Sequence, residues 1–353
     1  MSGVASQKGR RVGTPPRWAS LIAWLVLAAI SGTACRTPPG AERARLGDEI
    51  VVCGRMFRIG TPVVLWTDPG GYDAYRVERR FSPWSEADWE TTSAASRNLD
   101  TPNRYGLRKD RLTETEIEQV RGGGWDLPLL QRVVDQFVLH YDATGTSRRC
   151  FEVLHDHRGL SVHFMLDVDG TLYQTLDLKE RAWHATTSNS RSIGIEIAQP
   201  GAVPTNALSR WEEWYAVDER GPYLKMPPAM AGLDPGFRTP GFVGRPAKPE
   251  RVIGEIQGRT LVQYDFTPEQ YRTLAKLTAA LCRIFPEMRC DFPRDADGRL
   301  VREKLADDVL RDYRGLLGHY HIQKDKVDPG PAFDWDRLLR DTRWYRLGGW
   351  DRE

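Results

Sequence analysis

Residues 318–335, GHYHIQKDKVDPGPAFDW, combine side chains that bind metals with a stiff backbone. His319 and Asp328 could bind a divalent cation through a nitrogen and an oxygen, and Lys326 lies two residues before that carboxylate. The prolines of the Asp-Pro-Gly-Pro run fix their own φ angles and limit how far the loop can move. A solvated charged loop has a similar composition, so a metal site requires further ligands elsewhere in the chain.

Three apolar segments each place a histidine or a glutamate opposite their core residues. Side chains alternate between the two faces of a strand. In QFVLHY, His140 shares a face with Val138, and in SIGIEIAQ, Glu196 opposes three isoleucines. His163 is placed in the same way in SVHFML. If these faces coincide in one sheet, they form a polar floor.

Such a floor suits hydrolysis assisted by zinc. A catalytic zinc site needs two or three protein ligands, an open position for water and a base that takes up the water proton. His140, His319 and Asp328 would be the ligands, and Glu196 would be the base. Lys326 could stabilise the oxyanion that forms when a carbonyl becomes tetrahedral. Each residue also has a structural interpretation, because strand histidines are usually satisfied in the core and loop charges are usually solvated.

Four segments rich in β-branched and aromatic residues predict the strands that would carry these side chains. They are short strands within residues 49–81, a buried strand over 133–141, a hairpin over 161–177 and a strand over 192–199. Asp-Val-Asp-Gly is the predicted turn of the hairpin.

Two helices are predicted towards the end of the chain. Thr267 as N-cap, followed by Pro268 and Gln270, predicts the start of a helix that covers 267–285. Residues 307–321 are interpreted as a second helix that runs into the ligand motif. Strands mixed with helices predict an α/β fold, with a sheet covered by helices.

The charge balance argues against one class of function. The chain has 50 basic and 48 acidic residues, a formal net charge of +2, and 40% hydrophobic residues. A nucleic-acid-binding protein that relies on a broad basic surface would carry a larger excess of positive charge. We therefore expect a globular protein without a nucleic-acid partner.

Residues 1–35 differ in composition from the rest. Basic residues precede the apolar stretch at 21–30, and small residues lead to Cys35, an order typical of a secretory signal. SGTAC resembles the lipobox of bacterial lipoproteins, in which the cysteine is lipidated; cleavage near Ala34 without a lipid, or retention of the segment as an anchor, are the alternatives. We expect an exported bacterial protein, periplasmic or attached to the outer membrane by a lipid.

The remaining cysteines contain no C-x-x-C pair that would indicate a structural zinc site. In an oxidising compartment, the short loop between Cys282 and Cys290 predicts a disulfide between these two residues. Four unpaired thiols are the alternative.

Differences in composition and the predicted strands and helices divide the chain into three parts. Residues 1–35 form the signal peptide, 36–130 a tether and a β-rich extension, and 131–345 the catalytic domain. The catalytic domain contains an insertion at 200–265, rich in proline, glycine and aromatic residues. It is either a flap over a binding groove or an ordered surface insertion without a role in the chemistry.

Four ordered motifs resemble those of type 2 zinc-dependent N-acetylmuramoyl-L-alanine amidases, a family related to peptidoglycan recognition proteins and T7-type lysozyme amidases. The motifs are VLHYDATG, SVHFMLDVDGTLYQTLDLKERAWHA, SIGIEIAQ and GHYHIQKDKVDPGPAFDW, within residues 133–199 and 267–340. The resemblance implies a mixed central β-sheet flanked by helices, with zinc in a surface groove. It also implies hydrolysis of the amide between N-acetylmuramic acid and L-alanine in peptidoglycan or muropeptides.

Carried over by position, the resemblance assigns the same roles as the chemistry. His140, His319 and Asp328 would bind zinc, Glu196 would activate water, and Lys326 would lie beside the scissile carbonyl. Zinc would lower the pKa of its bound water towards about 7. The alternatives are a muropeptide-binding protein without catalysis, or a zinc amidase that acts on a different amide.

Three further residues are predicted to contact substrate. His184, in AWHA, matches a position that lines the groove of the family, and His163 on the predicted floor is grouped with it. Arg181 would contact the stem peptide, or form a structural salt bridge instead.

Two choices remain open at this point. His321 has the same parity as His319 in an extended segment and is the alternative ligand. Asp142 does not bind the metal in this scheme but could orient His140 through a hydrogen bond to its ring.

Overall fold

A computed structural model describes residues 45–76, 104–230 and 232–349, together with residues 1, 3 and 40. The strands of the described residues are, in chain order, β1 (Glu49–Val52), β2 (Arg55–Arg58), β3 (Val63–Leu65), β4 (Tyr105–Gly106), β5 (Gln136–Tyr141), β6 (Phe164–Leu166), β7 (Leu172–Gln174), β8 (Arg181–Ala182), β9 (Ser192–Ile197), β10 (Val203–Pro204), β11 (Tyr215–Asp218), β12 (Gly221–Leu224), β13 (Val252–Ile256), β14 (Arg259–Gln263) and β15 (Gly315–Gly318). The α-helices are α1 (Glu114–Gly123), α2 (Leu127–Val133), α3 (Ser147–Phe151), α4 (Ser209–Trp214), α5 (Pro268–Ile284), α6 (Asp307–Asp312) and α7 (Trp335–Arg346).

The central sheet has six strands in the order β15-β5-β9-β6-β7-β3. Neighbouring strands run parallel, except for the antiparallel hairpin β6–β7, whose turn is closed by the N–H of Gly170 donating to the carbonyl of Asp167. The sheet is therefore mixed, and helices cover it. The fold class predicted from the sequence is confirmed.

One face of the sheet is apolar because its residues alternate with polar ones. Ile193, Ile195 and Ile197 of β9 are fully buried and belong to the same hydrophobic cluster as Leu277 of α5 and Leu338 of α7. Burial of each such side chain contributes about 1.5–3 kcal/mol. This face therefore anchors the sheet and leaves the opposite face for the site.

Helix α5 begins as the sequence predicts. Thr267 Oγ1 accepts a hydrogen bond from the N–H of Gln270, and Gln270 Oε1 accepts one from the N–H of Thr267. This reciprocal pair satisfies two backbone donors that the first turn of a helix leaves without partners. The predicted capping box is confirmed.

The opposite face of the sheet carries the predicted polar floor. His140 of β5 lies beside Glu196 of β9 in the parallel register, and Met165 of β6 lies on the other side of Glu196. Directly paired residues of adjacent strands project to the same side of a sheet. The strand parity read from the sequence therefore holds for His140 and Glu196.

The helix predicted over 307–321 is wrong in its second half. Helix α6 ends at Asp312, and the chain then forms β15, which pairs in parallel with β5 at the edge of the sheet. Leu316 and Leu317 are both fully buried, one in each layer beside the sheet. A short apolar run buried on both faces has no period of two, so its pattern cannot distinguish a strand from a helix.

The predicted N-terminal extension contributes to the central sheet. Strands β1, β2 and β3 confirm the short strands predicted within 49–81, and β3 pairs with β7 at one edge. The described residues from Leu46 onward belong to one compact unit. The predicted domain boundary at 130 stays a prediction, and the signal segment at 1–35 lies almost entirely outside the described residues.

The insertion at 200–265 is ordered over its described residues. It contains a three-stranded sheet, β10-β14-β13, and the hairpin β11–β12. Its last strand, β14, ends in Gln263, which is fully buried against the loop around Pro329, within the motif at 318–335. The insertion therefore packs behind the motif at 318–335.

The predicted disulfide between Cys282 and Cys290 is confirmed, while Cys53 and Cys150 are free thiols. In the described part of the chain, helices long and apolar enough to span a bilayer are absent.

Candidate metal centre

Three donor atoms from distant parts of the chain converge above the polar floor. His140 Nδ1 lies 3.0 Å from His319 Nδ1 and 2.9 Å from Asp328 Oδ2, and the last two atoms are 3.1 Å apart. All three residues are at most 8% exposed. Among the described residues, these three form a cluster whose ligand atoms all lie within 4.8 Å of one another, close enough to share a metal ion.

The topology of the sheet brings the two histidines together. His140 lies near the carboxyl end of β5, and His319 follows directly after β15. Because β5 and β15 are parallel, with Leu139 paired to Gly318, their next residues meet at the same edge. Neighbouring parallel strands therefore deliver two imidazoles that are 179 positions apart in sequence.

Asp328 is held beside these histidines by its own loop. The Asp328 carbonyl accepts a hydrogen bond from the N–H of Tyr320 at 3.3 Å. Gln263 holds the next residues, because its Nε2 donates to the Pro329 carbonyl and its Oε1 accepts from the N–H of Ala332, both at 3.0 Å. Gly330 has φ of +88°, and a Cβ there would lie 2.1 Å from Gln263 Oε1. Only glycine fits this turn.

The donor set fits zinc. Ligand atoms of a tetrahedral zinc ion, with bonds of about 2.0–2.2 Å, lie roughly 3.3–3.6 Å from one another. The three donors are within a few tenths of an ångström of that spacing. Two imidazole nitrogens and one carboxylate oxygen also suit zinc chemically, and all three residues line the groove.

The electrostatics of two ligands agree with this fit. Burial, together with His319, lowers the pKa of His140 to about 4. Burial alone would raise the pKa of Asp328, but His319 and His140 lower it below its usual range. At neutral pH, His140 is therefore neutral and Asp328 is ionised, which are the protonation states that metal binding requires.

The cluster opens into a groove of about 460 Å³. Glu196 and Lys326 line this groove together with the three clustered residues. Burial, with Asp328 and Asp142 nearby, raises the pKa of Glu196 well above its ordinary value. Lys326 is about one-third exposed, and its Nζ lies 3.5 Å from Asp325. The structure thus brings together all five residues to which the sequence assigns catalysis or metal binding.

His184 lines the groove, as predicted, but it also contacts the cluster. His184 Nδ1 lies 3.0 Å from His140 Nε2, on the side of His140 that faces away from the donor atoms. Its other nitrogen lies 3.2 Å from Ser192 Oγ. Both ring nitrogens therefore face protein atoms.

The structure does not bring His163 and Arg181 to the groove. His163 is fully buried on the predicted face, covered by Arg108, with Nε2 3.0 Å from Arg108 Nη2 and Nδ1 accepting from the N–H of Gly194. It leaves no surface for substrate, because the segment before α1 lies over it. Arg181 Nε donates to Ser190 Oγ at 2.9 Å, and its contact with substrate stays a prediction.

The two open choices are now resolved. His321 is fully buried, with Nδ1 accepting from the N–H of Gly318 and Nε2 donating to the carbonyl of Val301, so His319 is the histidine that faces the cluster. The short helical turn His319–His321 sends the two rings in different directions. In an extended segment they would have shared a face.

Asp142 does not orient His140. Its carboxylate accepts hydrogen bonds from the N–H groups of Thr144, Gly145 and Gln199, at 2.9–3.0 Å. Burial raises the pKa of Asp142 to about 7. Asp142 therefore fixes the loop after β5.

Sequence reasoning missed two glutamines that support the site. Gln323 Oε1 lies 2.7 Å from His319 Nε2, and its spacing of four residues from His319 was a usable signal. Gln263, which holds the loop after Asp328, lies 65 positions before that residue, and no local pattern marks it.

Comparison with known proteins places these observations in a family. A family model described as N-acetylmuramoyl-L-alanine amidase matches residues 130–331. No curated protein matches the chain.

Solved structures of low sequence identity resemble the chain. A Se-Met derivative of AmpD has 17% identity and a TM-score of 0.31, over 68% of this chain and 90% of that one. The amidase AmiD from E. coli, in complex with the substrate anhydro-N-acetylmuramic acid-L-Ala-D-gamma-Glu-L-Lys, has 16% identity and a TM-score of 0.32, over 59% of this chain and 57% of that one. The endolysin amidase LysCS from Clostridium intestinale URNW has 14% identity and a TM-score of 0.32, over 61% of this chain and 86% of that one.

The region matched by the family model begins just before β5 and includes His140, Glu196, His319 and Asp328. Because this match spans more than half of the sequence, the chain belongs to the type 2 N-acetylmuramoyl-L-alanine amidase family.

Proposed function

We propose that this protein is a zinc-dependent amidase that hydrolyses the amide between N-acetylmuramic acid and L-alanine in peptidoglycan or muropeptides. The observation that carries the proposal is the convergence of His140, His319 and Asp328 within hydrogen-bonding distance, next to a glutamate in the same groove. Family membership supports amide hydrolysis as the reaction class.

Zinc, when bound by these three residues, would polarise the scissile carbonyl and acidify water. Glu196 takes the proton from the attacking water and returns it to the nitrogen of the leaving L-alanine. The high pKa of its carboxyl group suits a residue that must hold a proton between these two transfers. Lys326 lines the same groove, where its ammonium group stabilises negative charge on the carbonyl oxygen.

The test is product analysis on defined muropeptides, with and without a chelator. We expect free stem peptide, identified by mass spectrometry, only when zinc is present. Release of a different product would instead support an amidase that acts on another bond. Tight muropeptide binding without any cleavage would support the binding protein, an alternative that the complete donor set disfavours.

Glu196→Gln separates catalysis from metal binding. This substitution keeps the size of the side chain but removes the proton acceptor, so turnover should fall by about 10²–10⁴-fold, the usual contribution of a general base. Zinc content, measured by elemental analysis, should stay equal to that of the wild type. Full turnover in this variant would remove Glu196 from the mechanism.

We also propose that the protein is exported and carries a lipid on Cys35. The composition of residues 1–35 supports this, and the disulfide Cys282–Cys290 suits an oxidising compartment. Labelling of expressing cells with an alkyne fatty acid should mark the wild type but not Cys35→Ser. Equal labelling of both proteins would contradict the proposal.

A further inference from the structure

The ring of His140 has a further polar contact, with His184, on the side that faces away from the cluster of possible metal ligands. While its Nδ1 faces His319 and Asp328, its Nε2 lies 3.0 Å from His184 Nδ1. His184 Nε2 in turn lies 3.2 Å from Ser192 Oγ. These contacts form a chain of three side chains that leads from the cluster into the start of β9.

The positions of the protons along this chain follow from the chemistry of imidazole. A neutral histidine that binds a metal through Nδ1 carries its proton on Nε2. His140 Nε2 then donates to His184 Nδ1, which must be without a proton. His184 accordingly carries its proton on Nε2 and donates to Ser192 Oγ. Each donor therefore meets an acceptor, so both contacts are compatible with one set of tautomers.

His319 is supported in the same manner from another direction. Its Nδ1 faces the cluster, and its Nε2 lies 2.7 Å from the side chain of Gln323. With Oε1 of Gln323 as acceptor, His319 also carries its proton on Nε2 and presents a lone pair at Nδ1. Both histidines of the cluster thus have an acceptor behind them.

The backbone of β9 leaves space for His184 at this position. A Cβ on Gly194 would lie 2.5 Å from both Nδ1 and Cε1 of the His184 ring. Gly194 is an ordinary strand residue without a positive φ, so the close approach of the ring is the reason that glycine is needed here. The ring therefore lies directly against the strand that carries Glu196.

We propose that His184 is a positioning residue that acts on the ligand His140. His184 holds His140 in the tautomer that presents Nδ1 to zinc. Ser192 holds His184 in the matching tautomer, and Gln323 acts in the same way on His319. The inference rests on the zinc site of the proposed function. It differs from the expectation that His184 serves substrate, because both nitrogens of His184 already face protein atoms.

The main test compares two replacements of His184 by zinc affinity, measured in competition with a chromophoric chelator. His184→Asn places an oxygen near the position of Nδ1 and keeps an acceptor for His140, whereas His184→Leu has a similar size but no acceptor. Loss of a hydrogen-bond partner behind a metal ligand typically weakens binding by about 10–100-fold. We expect that loss in His184→Leu and at least partial recovery in His184→Asn.

Gln323 offers the matched pair on the other histidine. Gln323→Leu should weaken zinc binding in the same range, whereas Gln323→Glu keeps an acceptor and should retain the affinity.

Ser192→Ala and Gly194→Ala test the contacts of His184 on the side of β9. The first removes the acceptor for His184, and the second displaces its ring. Both should weaken zinc binding, and Trp183→Phe, in the groove next to His184, should not.

The outcomes separate this inference from the proposed function. If the wild type binds zinc and both His184→Leu and His184→Asn bind it equally well, His184 does not position the ligand and the inference is wrong. A raised KM with unchanged zinc affinity in His184→Leu would likewise overturn it and return His184 to a substrate contact. If the wild type binds zinc and the positioning variants weaken it, but no muropeptide is cleaved, the inference stands and the proposed function fails. A wild type that binds no zinc would overturn both.

Discussion

At the scale of single residues, the site holds two carboxyl groups whose pKa values are shifted in opposite directions. The histidines around Asp328 lower its pKa, so this group stays ionised and can bind a cation. Burial raises the pKa of Glu196, and the charge on Asp328 raises it further. Groups of one chemical type whose pKa values are pushed apart can take different roles in one reaction. Asp328 accordingly suits a ligand, and Glu196 suits a proton carrier.

Lys326 provides the residue-scale prediction. Lys326→Met keeps the aliphatic stem but removes the charge, so kcat should fall by about 10²–10³-fold, the range for loss of one group that stabilises an oxyanion. Zinc affinity should change little, because Lys326 is not part of the ligand cluster. The measurements are steady-state kinetics on a muropeptide and chelator competition.

Lys324 supplies the control for this variant. It is exposed, lies two residues before Lys326 and is not among the described residues that line the groove. Lys324→Met removes the same charge from the same loop and should retain normal kcat. An equal decrease in both variants would indicate a general effect of loop charge and exclude a specific role for Lys326.

At the scale of elements, the described part of the insertion at 200–265 supports the candidate metal site through the loop after Asp328. Gln263, the last residue of β14, forms hydrogen bonds with the backbone of Pro329 and of Ala332, on the two sides of Gly330. The chain after Asp328 is thus held by a strand of the insertion as well as by its own prolines. The described part of the insertion does not line the groove, so it supports the site without covering it.

Gly330→Ala tests this support. A Cβ would meet the Gln263 side chain at 2.1 Å in a backbone conformation that disfavours alanine, so the loop must move. We expect a loss of zinc affinity of at least about tenfold, together with a decrease of roughly 1–3 kcal/mol in the free energy of unfolding. Chelator competition and urea denaturation measure the two effects.

The control is Gly298→Ala, at a glycine with a φ of +78° and open space where the Cβ would be. It causes a similar backbone strain without a collision, so it should lower stability by about 1–2 kcal/mol and leave zinc affinity unchanged. Unchanged zinc affinity in Gly330→Ala would show that Gln263 and this turn do not set the position of Asp328.

At the scale of the whole molecule, the core contains a neutral histidine, His163, next to the buried side chain of Arg108. His163 and Arg108 are both fully buried, and burial together with Arg108 lowers the pKa of His163 to about 3. The unfolded chain takes up a proton at this residue below about pH 6.5, whereas the folded protein does not until near pH 3. His163 therefore stabilises the fold less and less as the pH falls between these values.

His163→Gln should reduce this dependence on pH. Between pH 7 and pH 5, the wild type should lose about 2 kcal/mol more of its free energy of unfolding than the variant, since one group contributes up to about 1.4 kcal/mol per pH unit. Urea denaturation in the presence of a chelator keeps metal binding out of the comparison. His157→Gln, at an exposed histidine, controls for the loss of a surface imidazole. Identical pH profiles for His163→Gln and the wild type would contradict the assignment of a neutral buried His163.

The amino-acid sequence by itself determined the features that depend on local periodicity. The alternation within β5 and within β9 placed His140 and Glu196 opposite the core residues of their own strands, the capping residues located the start of α5, and the short spacing of Cys282 and Cys290 predicted their disulfide. Each of these patterns lies within about twenty residues, where backbone geometry alone relates one side chain to the next.

Only the tertiary structure decided which side chains reach the metal site and which support it. His319 and His321 were equivalent in the sequence until a helical turn after β15 separated them, and β15 itself was recognisable only through its pairing with β5. His163 is covered by a segment more than fifty positions before it, and Gln263 reaches Pro329 from a strand 66 positions away. These contacts arise from packing between distant elements, which no local period of hydrophobic residues encodes.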